Sequence, residues 1–259
     1  MKSSNNYITL TRNIFPSLAL CLSLSAPAVA EILLADDFSG TSLAPNWTVQ
    51  RGYADVAGGY VDMHGSTPGA RDAFIQAAVG DSNWTDYHIS THFIADGGGN
   101  NWYNALVNFR IQEAIPYTSL ENLYGVQIRT PLWGSNEGSW WNFGRAYTDG
   151  TSFSLAGGPI DPLVVPINDR DNVLDIWAIG NAFWVSINGY SLTNNIPIVD
   201  NRPDALLYGG IGLGAVWESH TRYDYVTVGT MAPVPEPTTY LLLLAGLGII
   251  ILRSRSSWN

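Results

Sequence analysis

Residues 131–147 read Pro-Leu-Trp-Gly-Ser-Asn-Glu-Gly-Ser-Trp-Trp-Asn-Phe-Gly-Arg-Ala-Tyr, which sets Trp133, Trp140, Trp141, Phe143 and Tyr147 among small and polar neighbours. Flat indole faces stack on the apolar C–H faces of sugar rings, while Asn, Glu137 and Arg145 can hydrogen-bond the hydroxyls. A second stretch, 100–104, adds Trp102 and Tyr103. This is the chemistry of carbohydrate binding, with Trp133, Trp140, Trp141, Arg145, Trp102 and Tyr103 as candidate contacts. The same residues would serve equally as sandwich core, since tryptophans are usually more than half buried. For Trp140 and Trp141, strand alternation turns one indole inward and the other toward solvent.

The histidines invite a metal reading. His88 and His92 stand four apart, a spacing that shares a face on a helix but separates them by about 13 Å along a strand, too far for one ion. His64 and His220, the latter near Glu218 and Arg222, are of the right type for acid–base work. An enzyme built on them would need a group among His64, His220, Glu218 and Arg145 in the same groove as the tryptophans. The acids Asp36-Asp37 and Asp169, Asp171 and Asp175 sit in turn-like sequence, where solvated turn caps are the simpler role. No Gly-x-Ser-x-Gly elbow, HExxH or P-loop is present. No catalytic residue is assigned.

Positioning such side chains falls to β-strands. Charged residues make up 13% of the 259, aromatic residues 12%, and glycine numbers 26, a composition that suits an all-β extracellular domain. Short runs alternate with period two between Gly, Asn, Asp and Pro. Residues 87–94 place Tyr87, Ile89, Thr91 and Phe93 on one face and His88, Ser90, His92 and Ile94 on the other. Gly180-Asn181 and Asn188-Gly189 read as successive two-residue hairpin turns. The expectation is an all-β, two-sheet antiparallel jelly-roll sandwich over residues 31–231. Within that span eight arginines face 21 acidic residues, a balance of −13. Such a surface repels phosphate backbones, and nucleic acid is not expected as a partner.

The ends read as targeting signals. Lys2 and Arg12 accompany an apolar stretch at 14–26, and Ala28-Val29-Ala30 offers a small-x-small cleavage site. Residues 1–30 are therefore expected to be a helical signal peptide removed by signal peptidase. Cys21, the single cysteine, would leave with it, so the mature domain must hold through a substantial core and not through disulfides. Residues 232–259 combine Val234-Pro235-Glu236-Pro237, an unbroken apolar run at 240–252, and the basic Arg253 and Arg255. As a helix that run spans about 20 Å against a hydrocarbon core of roughly 30 Å, short for a permanent anchor. The segment resembles the PEP-CTERM sorting domain. The resemblance implies a Gram-negative bacterium, transient lodging of a short transmembrane helix in the inner membrane, and recognition and removal of the tail by an exosortase near Pro-Glu-Pro. It also implies association with extracellular polysaccharide at the cell surface.

The middle of the chain carries a second resemblance. Asp36-Asp37-Phe38-Ser39-Gly40 is followed by 43–49 and 58–65, and later by a hairpin ending in Ile187-Asn188-Gly189-Tyr190, then 209–217 and 223–228. That succession resembles the concanavalin A-like lectin/glucanase superfamily, of laminin-G-like or 3-keto-disaccharide-hydrolase-like type, whose fold hosts lectins, hydrolases, lyases and structural modules. Laminarinase-type members carry Glu-x-Asp-x-x-Glu or Glu-x-Asp-x-Glu on one strand, and the glutamates at 31, 113, 121, 137 and 218 form no such cluster. Related sandwiches often hold a structural Ca2+ where first and last strands meet, which would bring Asp37 and Asp224 to one ion. The expected function is a secreted, non-catalytic carbohydrate-binding or matrix protein. A glycan-cleaving enzyme of 3-keto-glycoside hydrolase or lyase type is the alternative, and a matrix protein without a sugar site is the third reading.

Overall fold

Tyr87, Ile89, Thr91 and Phe93 are fully buried, whereas His88, Ser90, His92 and Ile94 between them are not. This period of two, repeated strand after strand, gives each sheet one apolar face, and two such faces close on each other. The computed structural model describes residues 30–65, 72–96, 102–114, 121–131, 138–161, 171–216 and 219–231. Residues 30–231 form one compact unit. The helices expected in the two terminal segments, and the sorting motif at Val234, Pro235, Glu236, Pro237, Arg253 and Arg255, lie outside the described residues.

Among the described residues there is no helix, and the strands run in chain order as follows. The first five are β1 (Ile32–Asp36), β2 (Thr48–Arg51), β3 (Tyr53–Ala57), β4 (Tyr60–His64) and β5 (Ala73–Ala77). Then come β6 (Tyr87–Asp96), β7 (Trp102–Ala114), β8 (Glu121–Pro131), β9 (Trp140–Ala146) and β10 (Ser152–Pro159). The last six are β11 (Asp171–Ile179), β12 (Ala182–Ile187), β13 (Tyr190–Ser191), β14 (Ile198–Val199), β15 (Gly210–Ala215) and β16 (His220–Thr230). Sheet I has the order β13-β12-β11-β6-β16-β4-β3, with β1 on β16 and β14 on β12; sheet II has the order β10-β9-β8-β7-β15-β5-β2. All pairings are antiparallel, as the jelly-roll expectation required.

Both hairpin turns fall where the sequence put them. Ile179 pairs with Ala182 across Gly180-Asn181, and Ile187 pairs with Tyr190 across Asn188-Gly189. Asn188 and Gly189 adopt φ of 50° and 78°, the left-handed pair that a tight hairpin requires and that Asn-Gly supplies at little cost.

Between the sheets lies a continuous core in which Phe109, Tyr124, Phe143 and Phe183 form an aromatic cluster, with ring centroids 4.8–5.7 Å apart. Each fully buried side chain of this kind contributes roughly 1.5–3 kcal/mol, the means by which a domain without disulfides holds. Buried tyrosines tie the layers together. Tyr223 of sheet I donates to the Gly214 carbonyl (2.7 Å) and accepts from Leu106 N (3.1 Å), both in sheet II. Burial pushes its phenol well above the ordinary range.

Candidate functional site: a trough on the outer face of sheet II

The outward faces of six adjacent strands in sheet II line up in rows. One row runs Gln76, Gly212, Asn108, Gly125, Gly144 and Ser154 across β5, β15, β7, β8, β9 and β10. The next runs Phe74, Gly214, Leu106, Gln127 and Asn142. A third places Asn104, Arg129, Trp140 and Pro159 side by side. Glycines thus occupy positions in the middle of the face where any other residue would raise a side chain. They leave a trough of about 410 Å³ bounded by Arg51, Asp72 and Phe74 at one wall and by Phe153 and Ser154 at the other. Gly214 has a packing reason as well, since a Cβ there would lie 2.3 Å from the Phe74 ring.

Neutral amides supply most of the trough's polar chemistry. Gln127 Nε2 donates to Asn104 Oδ1 (3.0 Å), and Ser154 Oγ donates to Asn142 Oδ1 (2.6 Å). These bonds hold the two amides in place while the Gln127 carbonyl oxygen and the Asn142 amide N–H groups bond to no other described residue. A carbonyl acceptor and an amide donor, fixed and adjacent, match the donor–acceptor pattern of vicinal hydroxyls. Among the described residues the trough's one lining carboxylate, Asp72, is paired with Arg51 at 3.2 Å, and the Arg51 guanidinium lies 4.8 Å over the Phe74 ring.

One end of the trough rests on a buried ionic network. Asp200, 1% exposed, accepts from Arg202 Nη2 (2.6 Å) and Nε (2.7 Å) and from the Tyr124 hydroxyl (2.5 Å). Burial opposes its ionisation, yet these donors prevail and hold the carboxyl at about 2. Arg202 packs 3.5 Å over the Phe153 ring and donates to the Tyr147 hydroxyl (3.0 Å), so the β9–β10 end of the trough is fastened to this anion.

Of the sequence candidates, the structure brings few together. Trp140 and Trp141 divide as alternation requires: Trp140 is 44% exposed on the trough face, and Trp141 is 7% exposed and belongs to the core. Trp141 therefore cannot stack on a bound sugar. Arg145 lies on the inner side of β9. It borders the trough but is 2% exposed, paired with Asp204 at 3.3 Å and Asp200 at 3.7 Å, and lies 4.4 Å over the Tyr147 ring, so it fastens the trough's end more than it reaches a ligand. Trp133 and Glu218 lie outside the described residues, as do the side chains of Trp102 and Tyr103. Gln127, Asn142 and Asn104 were not singled out from sequence, because no spacing links amides on three different strands.

Each of the two aspartates expected at a calcium ion already has a protein partner. Asp37 Oδ1 accepts from Ser39 N (3.1 Å), a turn cap that holds its pKa down, and Asp224 Oδ2 lies 2.7 Å from His92 Nδ1. A bulge between Tyr223 and Tyr225 accompanies that turn of Asp224 toward His92. Among the described residues no group of three or more His, Cys, Asp or Glu is placed to hold a metal ion.

All four histidines stand on the outer face of sheet I, each beside an aspartate: His64 with Asp55 (3.2 Å), His88 with Asp175 (2.9 Å), His92 with Asp171 and Asp224, and His220 with Asp62 (3.9 Å). His64 and His220 do come together, their rings stacked with centroids 5.0 Å apart. They stand on the sheet opposite Trp140 and Arg145, so the shared groove that an acid–base enzyme needed is not formed by these residues.

Residues 233–256 match the PEP-CTERM protein-sorting motif, which marks a chain for export and exosortase-dependent surface attachment. No curated protein matches the chain in sequence. Among solved structures, the domain is similar to a protein of unknown function with a galectin-like fold from Bacillus subtilis, with 14% identity, TM-score 0.54 and coverage of 76% of this chain and 95% of that one. It is similar too to the catalytic domain of an endo-1,3-beta-glucanase (laminarinase) from Thermotoga petrophila, with 9% identity, TM-score 0.53 and coverage of 80% and 100%. A third likeness is the CBM2 module of the evolved Dit protein of Lactobacillus casei phage J-1, at 10% identity, TM-score 0.51 and coverage of 80% and 98%. The chain thus carries a PEP-CTERM sorting motif behind a domain with the concanavalin A-like jelly-roll fold.

Proposed function

We propose that residues 31–231 are a non-catalytic glycan-binding module, delivered by the sorting tail to the cell surface or its polysaccharide matrix. The observation that carries this reading is the trough itself: a floor of glycine backbone, fixed amides from Gln127 and Asn142, and Trp140 exposed on the same face. A flat, open floor admits a ring lying against the sheet, the amides bond its hydroxyls, and the indole covers an apolar face. The two sugar-related neighbours, a glucanase domain and a module titled CBM2, use the same fold and lend it support by analogy.

The lining argues against hydrolysis there. Glycosidases place two carboxyl groups across the scissile bond, and among the described residues the one carboxylate lining this trough is Asp72, already engaged by Arg51. Calcium at Asp37 and Asp224 belongs to this reading as a separate question. The test is affinity electrophoresis of residues 31–231 through gels containing laminarin, mannan, xylan, levan or the producing cell's own extracellular polysaccharide, with reducing ends assayed in parallel. Retardation without new reducing ends is expected. New reducing ends would favour the glycan-cleaving reading, and free migration through every gel would leave a matrix protein without a sugar site.

A further inference from the structure

The outer face of an antiparallel sandwich sheet is ordinarily polar, yet sheet I sets two tryptophans there. Gly229, His88, Trp177 and Trp184 form one row across β16, β6, β11 and β12. His88 is stacked on Trp177 with centroids 4.6 Å apart and planes 11° from parallel, and its Nε2 bonds Asp175 Oδ1 at 2.9 Å. The neighbouring row carries oxygen in place of rings: Thr227, Ser90, Asp175, Ser186 and Ser191. The two rows lie about 7 Å apart along the strands, close to the span of a pyranose with its hydroxyls. At the β12 edge they border a cavity of about 340 Å³ completed by Gly189 and Asn195. Asn194 and Asn195 both take left-handed φ, 53° and 61°, and Asn195 N donates to Ser191 Oγ (2.9 Å), which folds this short loop back over the β13 edge.

We infer that this cavity is a second sugar site, on the sheet opposite the trough, and that the domain therefore holds two polysaccharide chains at once. Trp177 and Trp184 supply the stacking surface, and Asp175, Ser186 and Asn195 the hydroxyl partners. The occupant is an uncharged hexose ring. Among the described residues no lysine or arginine lines the cavity, and the domain balance of −13 disfavours uronate or sulfated chains. A free cation is the poorer fit because Asp175 is already held by His88. The inference rests on the glycan-binding reading but on different residues, and it extends that reading from attachment to cross-linking.

Two readouts separate the sites: retention in the affinity gel needs one site, whereas clouding of a soluble glycan needs two. The glycan is whichever panel member retards the domain most. Residues 31–231 contain no cysteine, so Asn195→Cys gives a single attachment point whose labelling with fluorescein maleimide fills the cavity without touching the core. Trp184→Ala is the second variant. The unmodified domain is expected to cloud the glycan. Labelled Asn195→Cys, and Trp184→Ala where it folds, should stay retained but cloud it about tenfold less, the size expected for losing one aromatic stack. Retention without clouding, clouding indifferent to the label, or clouding by a sedimenting dimer of single-site domains would overturn the second site and leave the trough intact. Failure of the unmodified domain to be retained on any glycan would overturn both.

Discussion

Replacing Asp200 by Asn removes the anion on which Arg202, Arg145 and the Tyr124 hydroxyl converge. The magnitude follows from linkage. The folded carboxyl sits at about 2 against an ordinary 3.8, an interval that holds about 2–3 kcal/mol. The folded value is the depressed one, so this stabilisation is present above the unfolded value and is lost as pH falls through the folded value. Urea melts of residues 31–231 and of Asp200→Asn, taken near pH 7, pH 4 and pH 2, measure it directly. Other carboxylates titrate alike in both proteins and cancel in the difference. The variant should be less stable by roughly 2–4 kcal/mol near pH 7, and the gap should shrink by about 2 kcal/mol by pH 2. A gap that stays constant between those limits, or that is absent near pH 7, would refute the reasoning.

Other outcomes follow from single positions. Trp140→Ala should weaken glycan retention about tenfold while changing stability by under about 0.5 kcal/mol, whereas Trp141→Ala should cost about 3–5 kcal/mol in a urea melt. Gly125→Ala raises a methyl into the trough, where the near atom is the movable tip of Asn108 at 2.8 Å; the fold should tolerate it and retention should fall several-fold. His92 titrates above its ordinary value, because Asp171 and Asp224 outweigh the opposing effect of burial. Its stabilising contribution is complete below the unfolded value and fades as pH rises through the folded one, so His92→Gln should flatten the decline above about pH 6.5. EDTA should leave the melting temperature within about a degree if Ser39 and His92 are the only partners of Asp37 and Asp224; a fall of several degrees restored by Ca2+ would place the ion there, where Asp224 Oδ1 is buried without a hydrogen-bond partner among the described residues.

Period-two alternation and turn chemistry are local, and they were legible. The strand at Tyr87, the turns at Gly180-Asn181 and Asn188-Gly189, and the opposed fates of Trp140 and Trp141 all follow from neighbours in the chain. The trough was half legible. Gly210, Gly212 and Gly214 alternate with Ile211 and Leu213, which announces a strand with one apolar face and one bare face. What faces that bare strand depends on register across six strands, and a slip of one residue would turn every side chain over. Bulges between Phe109 and Glu113, and between Ser154 and Ala156, shift that register locally. The ion pairs of Arg145 were illegible for the same reason: its partners Asp200 and Asp204 arrive from a distant loop.

The most direct test of glycan binding in the trough is calorimetric titration of residues 31–231, and of Gln127→Ala/Asn142→Ala, with oligosaccharides cut from the glycan that retards the domain most. Binding by the first, with loss of about tenfold or more in the double variant at unchanged melting temperature, is the predicted result. Equal affinity in both proteins would place the sugar elsewhere and contradict the trough as its site.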